Sequence, residues 1–284
     1  MYLYFSCNQG FHDILSRLLF AVNFCRRTKR IILFDFQNSC YKINFYKYFN
    51  FNLPNIICDT NKIKEILEKE QYSVFPNCLN NKLMDVINGL IKFNVKIIKK
   101  EFYFYNNIKL TLPNFNPDEK IVVYADSGNG NGYQLFLNNI MPKNNLIEYI
   151  KNRYQKIKKP YISIQIRNTD RKCDYKKIYE DNKDLIGNFK SLHIATDDIK
   201  VLNYFKSVNN NVINFTTFPD KKEYLNLHSS EINPDIKIKD LITDLVLVSL
   251  SEYFLTNSKG GFVKLLQKCY QNKKKIKNHF KLHP

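Results

Sequence analysis

Charge gathers where one apolar run ends. After YISIQI (161–166) the segment RNTDRKCD brings Arg167, Thr169, Asp170, Arg171 and Asp174 together within residues 167–174. Arginine presents a planar fork of donors that suits phosphate oxygens. The carboxylates of Asp170 and Asp174 suit a base or an orienting acceptor. A solvated ion-pair cluster has the same residue content, so this segment alone leaves both readings open. Ser258-Lys259-Gly260-Gly261 offers a hydroxyl, a cation and two glycines between a strand and a helix. Backbone N–H groups at such a helix start make a phosphate cradle, although the GxxxxGK[ST] spacing is absent and an ordinary βα turn reads the same way. Asp197-Asp198 follows a strand as a metal pair or, more commonly, as a helix cap. Asp244 lies in an apolar helical stripe, either as a functional group or facing solvent. The glycine-rich DSGNGNG (126–132) lacks GxGxxG spacing before a clear helix and reads as a loop. Residues 6–10, including Gln9 and Gly10, feed a helix whose N-terminus attracts anions. Asp13 and Arg17 are spaced as an i,i+4 pair on that helix. His12 has no ligand partner at useful spacing and receives no role.

The elements that must hold these residues alternate between strand and helix. Residues 2–5 read as a strand. Phe11, Ile14, Leu15, Leu18, Leu19 and Val22 then mark one face of a helix. The run 26–30 (RRTKR) closes it at the negative end of the helix dipole, and IILFDF (31–36) reads as a buried strand. This βαβ unit implies a parallel sheet. Residues 56–58 read as a strand, 61–69 and 81–93 as helices, 121–125 as a strand, and 145–157 as a helix stopped by Pro160. A second series follows: strands at 161–166, 191–195, 211–215 and 253–256, with helices at 198–207, 238–251 and 261–272. KKKIK (273–277) reads as a basic tail. Two α/β halves therefore meet near residue 150, and the charged segments fall at carboxyl ends of strands, where open α/β sheets bind ligands.

The composition sets wider bounds. The 284 residues suit one large domain or two smaller ones, and a 44% hydrophobic fraction suffices for two cores. A formal charge of +18 fits either a dispersed lysine excess from an AT-rich genome, as in a virus or microbe, or an anionic partner. Seven cysteines without a CxxC pair support neither a zinc site nor a disulfide framework, and point to reduced thiols in the cytoplasm. No signal peptide or membrane span is expected, and Asn214-Phe215-Thr216 is then a chance sequon. No RRM, KH or zinc-finger signature supports specific nucleic-acid binding.

Three segments taken together, QIRNTD (165–170), HIATDD (193–198) and DLVLVSLSEYFLTNSKGGF (244–262), resemble the fucosyltransferase superfamily. That group contains the α1,6-fucosyltransferases, the nodulation fucosyltransferases and the protein O-fucosyltransferases. It shows an HxRRTD-like strand end, a later ATDD strand end, and an Asp-containing helix leading to a TxSS-like turn. NQGFHDILSRLLFAVNFCRRTKRIILFDF also looks like its opening. The resemblance covers residues 1–36 and 160–270 and leaves 37–120 nearly unmatched.

The resemblance implies a GT-B-like α/β fold, with two Rossmann-like α/β/α domains and a cleft between them. Residues 1–150 would form the acceptor side and 151–284 the donor domain. It implies an inverting transfer of fucose from GDP-fucose to a glycan or other hydroxyl, with no metal or other cofactor. Arg167 matches a position on the donor's β-phosphate, and Asp244 one near the guanine. Thr256, Ser258, Lys259 and Gly260 fall where hydroxyls and amides hold phosphate. Gln9, Gly10, Gln165, Thr169 and Asp197 complete the expected donor set. Arg171 matches a basic position after the Thr-Asp pair. Asp170 and Asp174 join Arg167 and Arg171 as the catalytic candidates, Asp174 lying near a carboxylate proposed as base. Two departures stand out: Gln165 replaces a histidine, and Lys259 replaces a serine. Another donor, GDP-mannose or a rhamnose nucleotide, remains open, as does a non-catalytic protein that binds sugar, nucleotide or nucleic acid.

Overall fold

In a computed structural model, the described residues are 1–69, 72–88, 96–98, 101–103, 110–126, 128, 130–170, 172–220, 224, 227 and 230–282. The chain divides into two compact units, Met1–Met141 and Pro142–Pro284. Residue 150, where the sequence places the division, lies inside helix Asn144–Tyr154 of the second unit.

The first unit contains β1 (Tyr2–Phe5), α1 (Phe11–Thr28), β2 (Ile31–Phe34), β3 (Ile56–Ile57), α2 (Thr60–Glu68), β4 (Val74–Phe75), β5 (Ile121–Tyr124) and α3 (Tyr133–Asn138). Its sheet runs in the order β3-β2-β1-β5-β4, and all pairs are parallel. The apolar spacing read from residue 11 onward becomes α1, with Ile14, Leu15 and Leu18 fully buried. The basic run at its end does not act as one. Arg26 and Arg27 occupy the last turn, Lys29 takes a left-handed conformation with φ 58°, and Arg30 is fully buried. The Arg30 guanidinium donates to Asn116 Oδ1 at 3.0 Å, to the Glu119 carbonyl at 2.9 Å and to the Pro117 carbonyl. Carbonyls alone thus satisfy most of a buried cation's donors and tie the 116–120 segment to the start of β5.

The second unit contains α4 (Asn144–Tyr154), β6 (Tyr161–Ile166), α5 (Tyr175–Glu180), β7 (Ser191–Thr196), α6 (Ile199–Val208), β8 (Val212–Ile213), α7 (Pro234–Leu250), β9 (Tyr253–Leu255), α8 (Gly261–Gln271) and α9 (Lys273–His279). Its parallel sheet runs β8-β7-β6-β9. Every residue of β6 and β7 is buried, as expected for parallel strands covered on both faces. Ile162, Ile164 and Ile166 join Ile178, Val201 and Phe205 in an apolar cluster. The alternate face carries Tyr161, Ser163 and Gln165, and Tyr161 donates to the Leu247 carbonyl at 2.7 Å. α7 starts earlier than its apolar stripe predicts, with Asn233 accepting from the Asp235 N–H at 2.9 Å and proline in the first turn. It is buried nearly all round, the pattern of a core helix. The basic run expected as a tail instead forms α9, anchored by fully buried Ile276 and by Phe280 just after its end. Among the described residues no helix is long and apolar enough to cross a membrane.

Candidate donor-phosphate site

In the second unit the chain passes from β6 to β7 to β8 on one side, and β9 then joins β6 on the other. The loops leaving β6 and β9 diverge, which makes this the unit's topological switch point. Both charged segments singled out above sit here. Thr256 Oγ1 donates to Gln165 Oε1 at 3.0 Å and accepts from the Ser258 N–H at 3.1 Å. Ser258 Oγ accepts from the Arg167 N–H at 2.8 Å. These bonds lace one loop to the other.

The Arg167 guanidinium engages both oxygens of Asp170, with Nε donating to Oδ1 at 2.6 Å and Nη2 to Oδ2. About a quarter of each side chain stays exposed, at 25% and 27%. A Cβ on Gly260 would stand 3.1 Å from Arg167 Nη1, and Gly260 has φ 143°, where L side chains are strained. Glycine at 260 therefore lets the guanidinium lie against the start of α8, an eleven-residue helix. A fixed cation and the N-terminal N–H groups of a helix meet at one place, the arrangement that holds phosphate.

Asp197 serves this loop as a clamp. Its Oδ1 accepts from the Asn168 N–H at 2.7 Å and its Oδ2 from Thr169 Oγ1 at 2.6 Å. Asp198 caps α6, accepting from the Lys200 N–H at 2.9 Å, and also accepts from Asn168 Nδ2 at 2.8 Å. Neither behaves as a metal pair, and among the described residues no three His, Cys, Asp or Glu side chains converge on a common point. Asn168, which sequence reasoning passed over, is a hub, because its Oδ1 also accepts from the Cys173 N–H at 3.2 Å. Asp174 caps α5 through the Lys177 N–H at 3.0 Å, and its carbonyl accepts from Asn257 Nδ2 at 2.8 Å. Cys173 lies 3.8 Å from Ser258 Oγ, and burial pushes its thiol pKa up. Lys259 is exposed beside these groups. Arg171 lies outside the described residues.

Asp244 does not face solvent. It is 8% exposed, with Oδ1 3.3 Å from His193 Nε2 and Oδ2 accepting from Thr216 Oγ1 at 3.0 Å. His193 Nδ1 is in turn 3.1 Å from Ser163 Oγ. One helical turn earlier, Asp240 accepts from the Thr217 N–H at 2.8 Å and from Arg153 Nη1 at 2.6 Å. The two carboxylates thus pin the 216–217 segment after β8 onto α7. The signal for this network was present as Ser163 and His193, polar residues within buried strands.

Gln9 and Gly10 belong to the first unit, where residues 6–10 leave β1. The Gln9 carbonyl accepts from Cys40 Sγ at 3.1 Å, and the Gly10 carbonyl accepts from the Asp13 and Ile14 N–H groups. The expected Asp13–Arg17 pair does not form. Arg17 Nη1 binds Asp126 Oδ2 at 3.1 Å, and Asp13 lies 3.6 Å from His12 Nδ1. The glycine-rich segment supplies that partner and packs on α1. A Cβ on Gly132 would fall 2.5 Å from the Ser16 backbone nitrogen, and one on Gly130 3.1 Å from Ser16 Cβ.

No protein-family model and no curated protein matches the chain in sequence. Solved structures do match in fold. A NodZ α-1,6-fucosyltransferase soaked with GDP-fucose superposes with a TM-score of 0.61 at 15% identity, covering 94% of this chain and 91% of that one. Fucosyltransferase NodZ from Bradyrhizobium gives 0.59 at 16% identity, covering 94% and 92%. POFUT1 in complex with GDP gives 0.54 at 13% identity, covering 94% of each chain. With its parallel sheets and helical layers, the chain has the GT-B-like α/β fold of these fucosyltransferase structures.

Proposed function

We propose that the protein is a glycosyltransferase that moves fucose from GDP-fucose to a hydroxyl of a glycan or other acceptor, with inversion and without a metal. The observation that carries this reading is the Arg167 guanidinium held against the start of α8 at the switch point, between loops laced by Thr256 and Ser258. The NodZ and POFUT1 structures of the same fold were determined with GDP-fucose and GDP, respectively, which supports a guanosine diphosphate sugar as donor.

In the proposed reaction the acceptor oxygen forms a bond to the anomeric carbon as the carbon–oxygen bond to the diphosphate breaks. The electron pair of the breaking bond goes to the diphosphate, and the acceptor proton goes to a base. Arg167, Lys259 and the N–H groups at the start of α8 stabilise the charge on the leaving group. Fixed donors aimed at developing charge are commonly the largest single contribution to catalysis. Asp170, with both oxygens on the guanidinium, orients the cation. Asp174 and Arg171 complete the proposed catalytic group, Asp174 as a candidate base. Gln165, Thr169, Asp197 and Thr256 shape the donor loop, and Asp244 stands on the guanine side.

Thermal denaturation with GDP, UDP, CDP, ADP, dTDP and GDP-fucose tests the reading. A ligand present at 100 times its dissociation constant and binding only the folded state adds about 2.7 kcal/mol. Stabilisation confined to GDP and GDP-fucose is expected. Stabilisation by UDP or dTDP instead keeps a glycosyltransferase and discards fucose. No response to any nucleotide sinks the proposal.

A further inference from the structure

The lysine excess is not evenly spread. From residue 253 to residue 284 the sequence holds eight lysines and no Asp or Glu. The fold brings part of this run to the edge of the second sheet where the strands begin, opposite the edge that carries Arg167. Contiguity there is established by hydrogen bonds. The Lys190 N–H, just before β7, donates to the Pro160 carbonyl at 3.0 Å, and the Glu252 N–H, just before β9, donates to the Tyr161 carbonyl at 2.9 Å. Tyr270 donates to the Glu252 carbonyl at 2.7 Å, and Lys273 Nζ to the Ser251 carbonyl. Lys156, Lys158 and Lys159 precede β6 and are exposed, as are Lys190, Lys274, Lys275 and Lys277. A shallow concavity of about 520 Å³ is lined by Tyr270, Asn272, Lys273, Lys274, Lys275 and Asn278. Glu252 lies just before β9, Glu180 ends α5, Asp181 follows it, and Asp184 lies in the short helix Lys183–Gly187 before β7. The seven exposed lysines outnumber these four carboxylates and leave the edge positive.

A six-residue strand spans roughly 20 Å. These lysines therefore stand too far from Arg167 to serve its site. Apolar side chains also surface among them. Tyr253 at the start of β9 is 51% exposed and Val208 at the end of α6 is 38% exposed, two of the three large apolar side chains exposed among the described residues of this unit. Nucleic-acid binding by stacking needs several open aromatic faces. Here the Tyr270 ring is covered by Lys273 Nζ at 4.1 Å. Lysines grouped around one exposed tyrosine suit a different partner, because anionic headgroups attract basic clusters and tyrosine favours the membrane–water interface.

We propose that the strand-start edge of the second unit is a docking face for an anionic lipid bilayer, attached by charge and leaving the Arg167 edge turned away from the lipid. The proposal does not depend on the donor reading. Co-sedimentation of the full chain with vesicles of phosphatidylcholine alone, and of phosphatidylcholine with phosphatidylserine at three parts to one, tests it. Binding only to the serine-containing vesicles, falling as salt rises, is expected. Each lysine near the surface is worth about fivefold in partition. The combined Lys158→Ala, Lys159→Ala, Lys190→Ala and Lys274→Ala variant should therefore lose on the order of several hundredfold, with unchanged melting. Replacing Lys42, Lys62, Lys69 and Lys82 of the first unit by alanine removes the same charge and should leave most binding intact. Equal partition onto both vesicles, an equal loss in the first-unit variant, or tighter retention of RNA than of vesicles at physiological salt would overturn the proposal.

Discussion

Both units have a switch point at the carboxyl edge of a parallel sheet, yet the two edges are built from different chemistry. In the first unit, Phe5 stacks on Phe34 and Tyr124 at 5.7 and 5.3 Å, Cys7 Sγ meets the Asp126 carbonyl at 3.2 Å, and glycines lie flat on α1. In the second unit, hydroxyls and amides join the two loops, and an arginine–carboxylate fork lies within one of them. An edge closed by aromatic stacking gains from burial and leaves few donors for a ligand. An edge closed by polar bonds presents donors at some cost in stability. Shared topology therefore fixes where a site can be, and side-chain chemistry decides which of two equivalent positions presents hydrogen-bond donors and a cation.

The largest expected contrast is between two arginines. Arg167→Ala should lower turnover by roughly 10²- to 10³-fold, the range for losing one fixed donor to a developing anion, with little change in melting. Arg17→Ala leaves Asp126 without its 3.1 Å partner in a pair only 14% and 17% exposed. It should cost about 2 kcal/mol of stability. Steady-state rates and melting curves of both variants check this. If the roles exchange, with Arg167→Ala destabilising and Arg17→Ala inactive, the distinction between the two edges is wrong.

The same contrast explains what the sequence showed and what it hid. Strands at 2–5, 161–166 and 191–195 were legible because apolar runs ended in turns, and α1 because its 3.6-residue period was clean. The loops at 167–174 and 256–260 were legible because charge and glycine interrupt apolar strands. Partners distant in sequence were not legible. Arg17 sits four residues from Asp13 yet binds Asp126, 109 residues away, because helical spacing reports only neighbours on the same helix. Asp244 read as a possible solvent-facing residue because its partners, His193 and Thr216, lie on a strand and on a later loop. Asn168 was passed over, since nothing local shows that it joins Asp198 to Cys173.

Glycines sharpen the comparison one step down in magnitude. Gly132→Ala would drive a methyl group to 2.5 Å from the Ser16 nitrogen and 2.7 Å from the Leu15 carbonyl carbon. Both are backbone atoms of α1, so overpacking of roughly 2–3 kcal/mol is expected, seen in denaturant midpoints. Gly260→Ala meets the end of a flexible arginine at 3.1 Å under a strained φ of 143°. Strain there is worth about 1–3 kcal/mol, and the displaced guanidinium should weaken GDP binding as well. Gly187→Ala, with nothing within 4 Å, should stay within about 0.5 kcal/mol of wild type. A Gly132→Ala protein as stable as Gly187→Ala would show that the glycine-rich segment is not packed on α1.

Ser258→Ala probes the lacing alone. The loss of one hydrogen bond, from the Arg167 N–H to Ser258 Oγ at 2.8 Å, is worth about 1 kcal/mol. A roughly fivefold rise in the GDP dissociation constant is expected, measured by calorimetry. Thr256→Val should act in the same direction through Gln165. An unchanged constant in both variants would mean that the two loops are held by packing and would erase the chemical difference between the edges.

The smallest effect lies in the first unit, at the end of β2, where Asp35 is 2% exposed. It accepts from Tyr4 Oη and, through Oδ1, from the Asn38 N–H at 3.1 Å. Burial pushes its pKa up, and the Tyr4 and Asn38 donors pull part of the way back. A carboxyl whose folded pKa lies above its unfolded value contributes stability in its protonated form. That contribution is full below the ordinary value of 3.8 and is lost as pH rises through the raised folded value. Asp35→Asn cannot ionise, so its melting temperature should vary less with pH across that window than that of the wild type. Because the donors offset part of the burial, the difference should be smaller than burial alone would give. A wild type whose stability instead rises across the window more steeply than that of Asp35→Asn would mean that the hydrogen bonds to Asp35 outweigh its desolvation. The first-unit edge would then hold its carboxylate in the charged form.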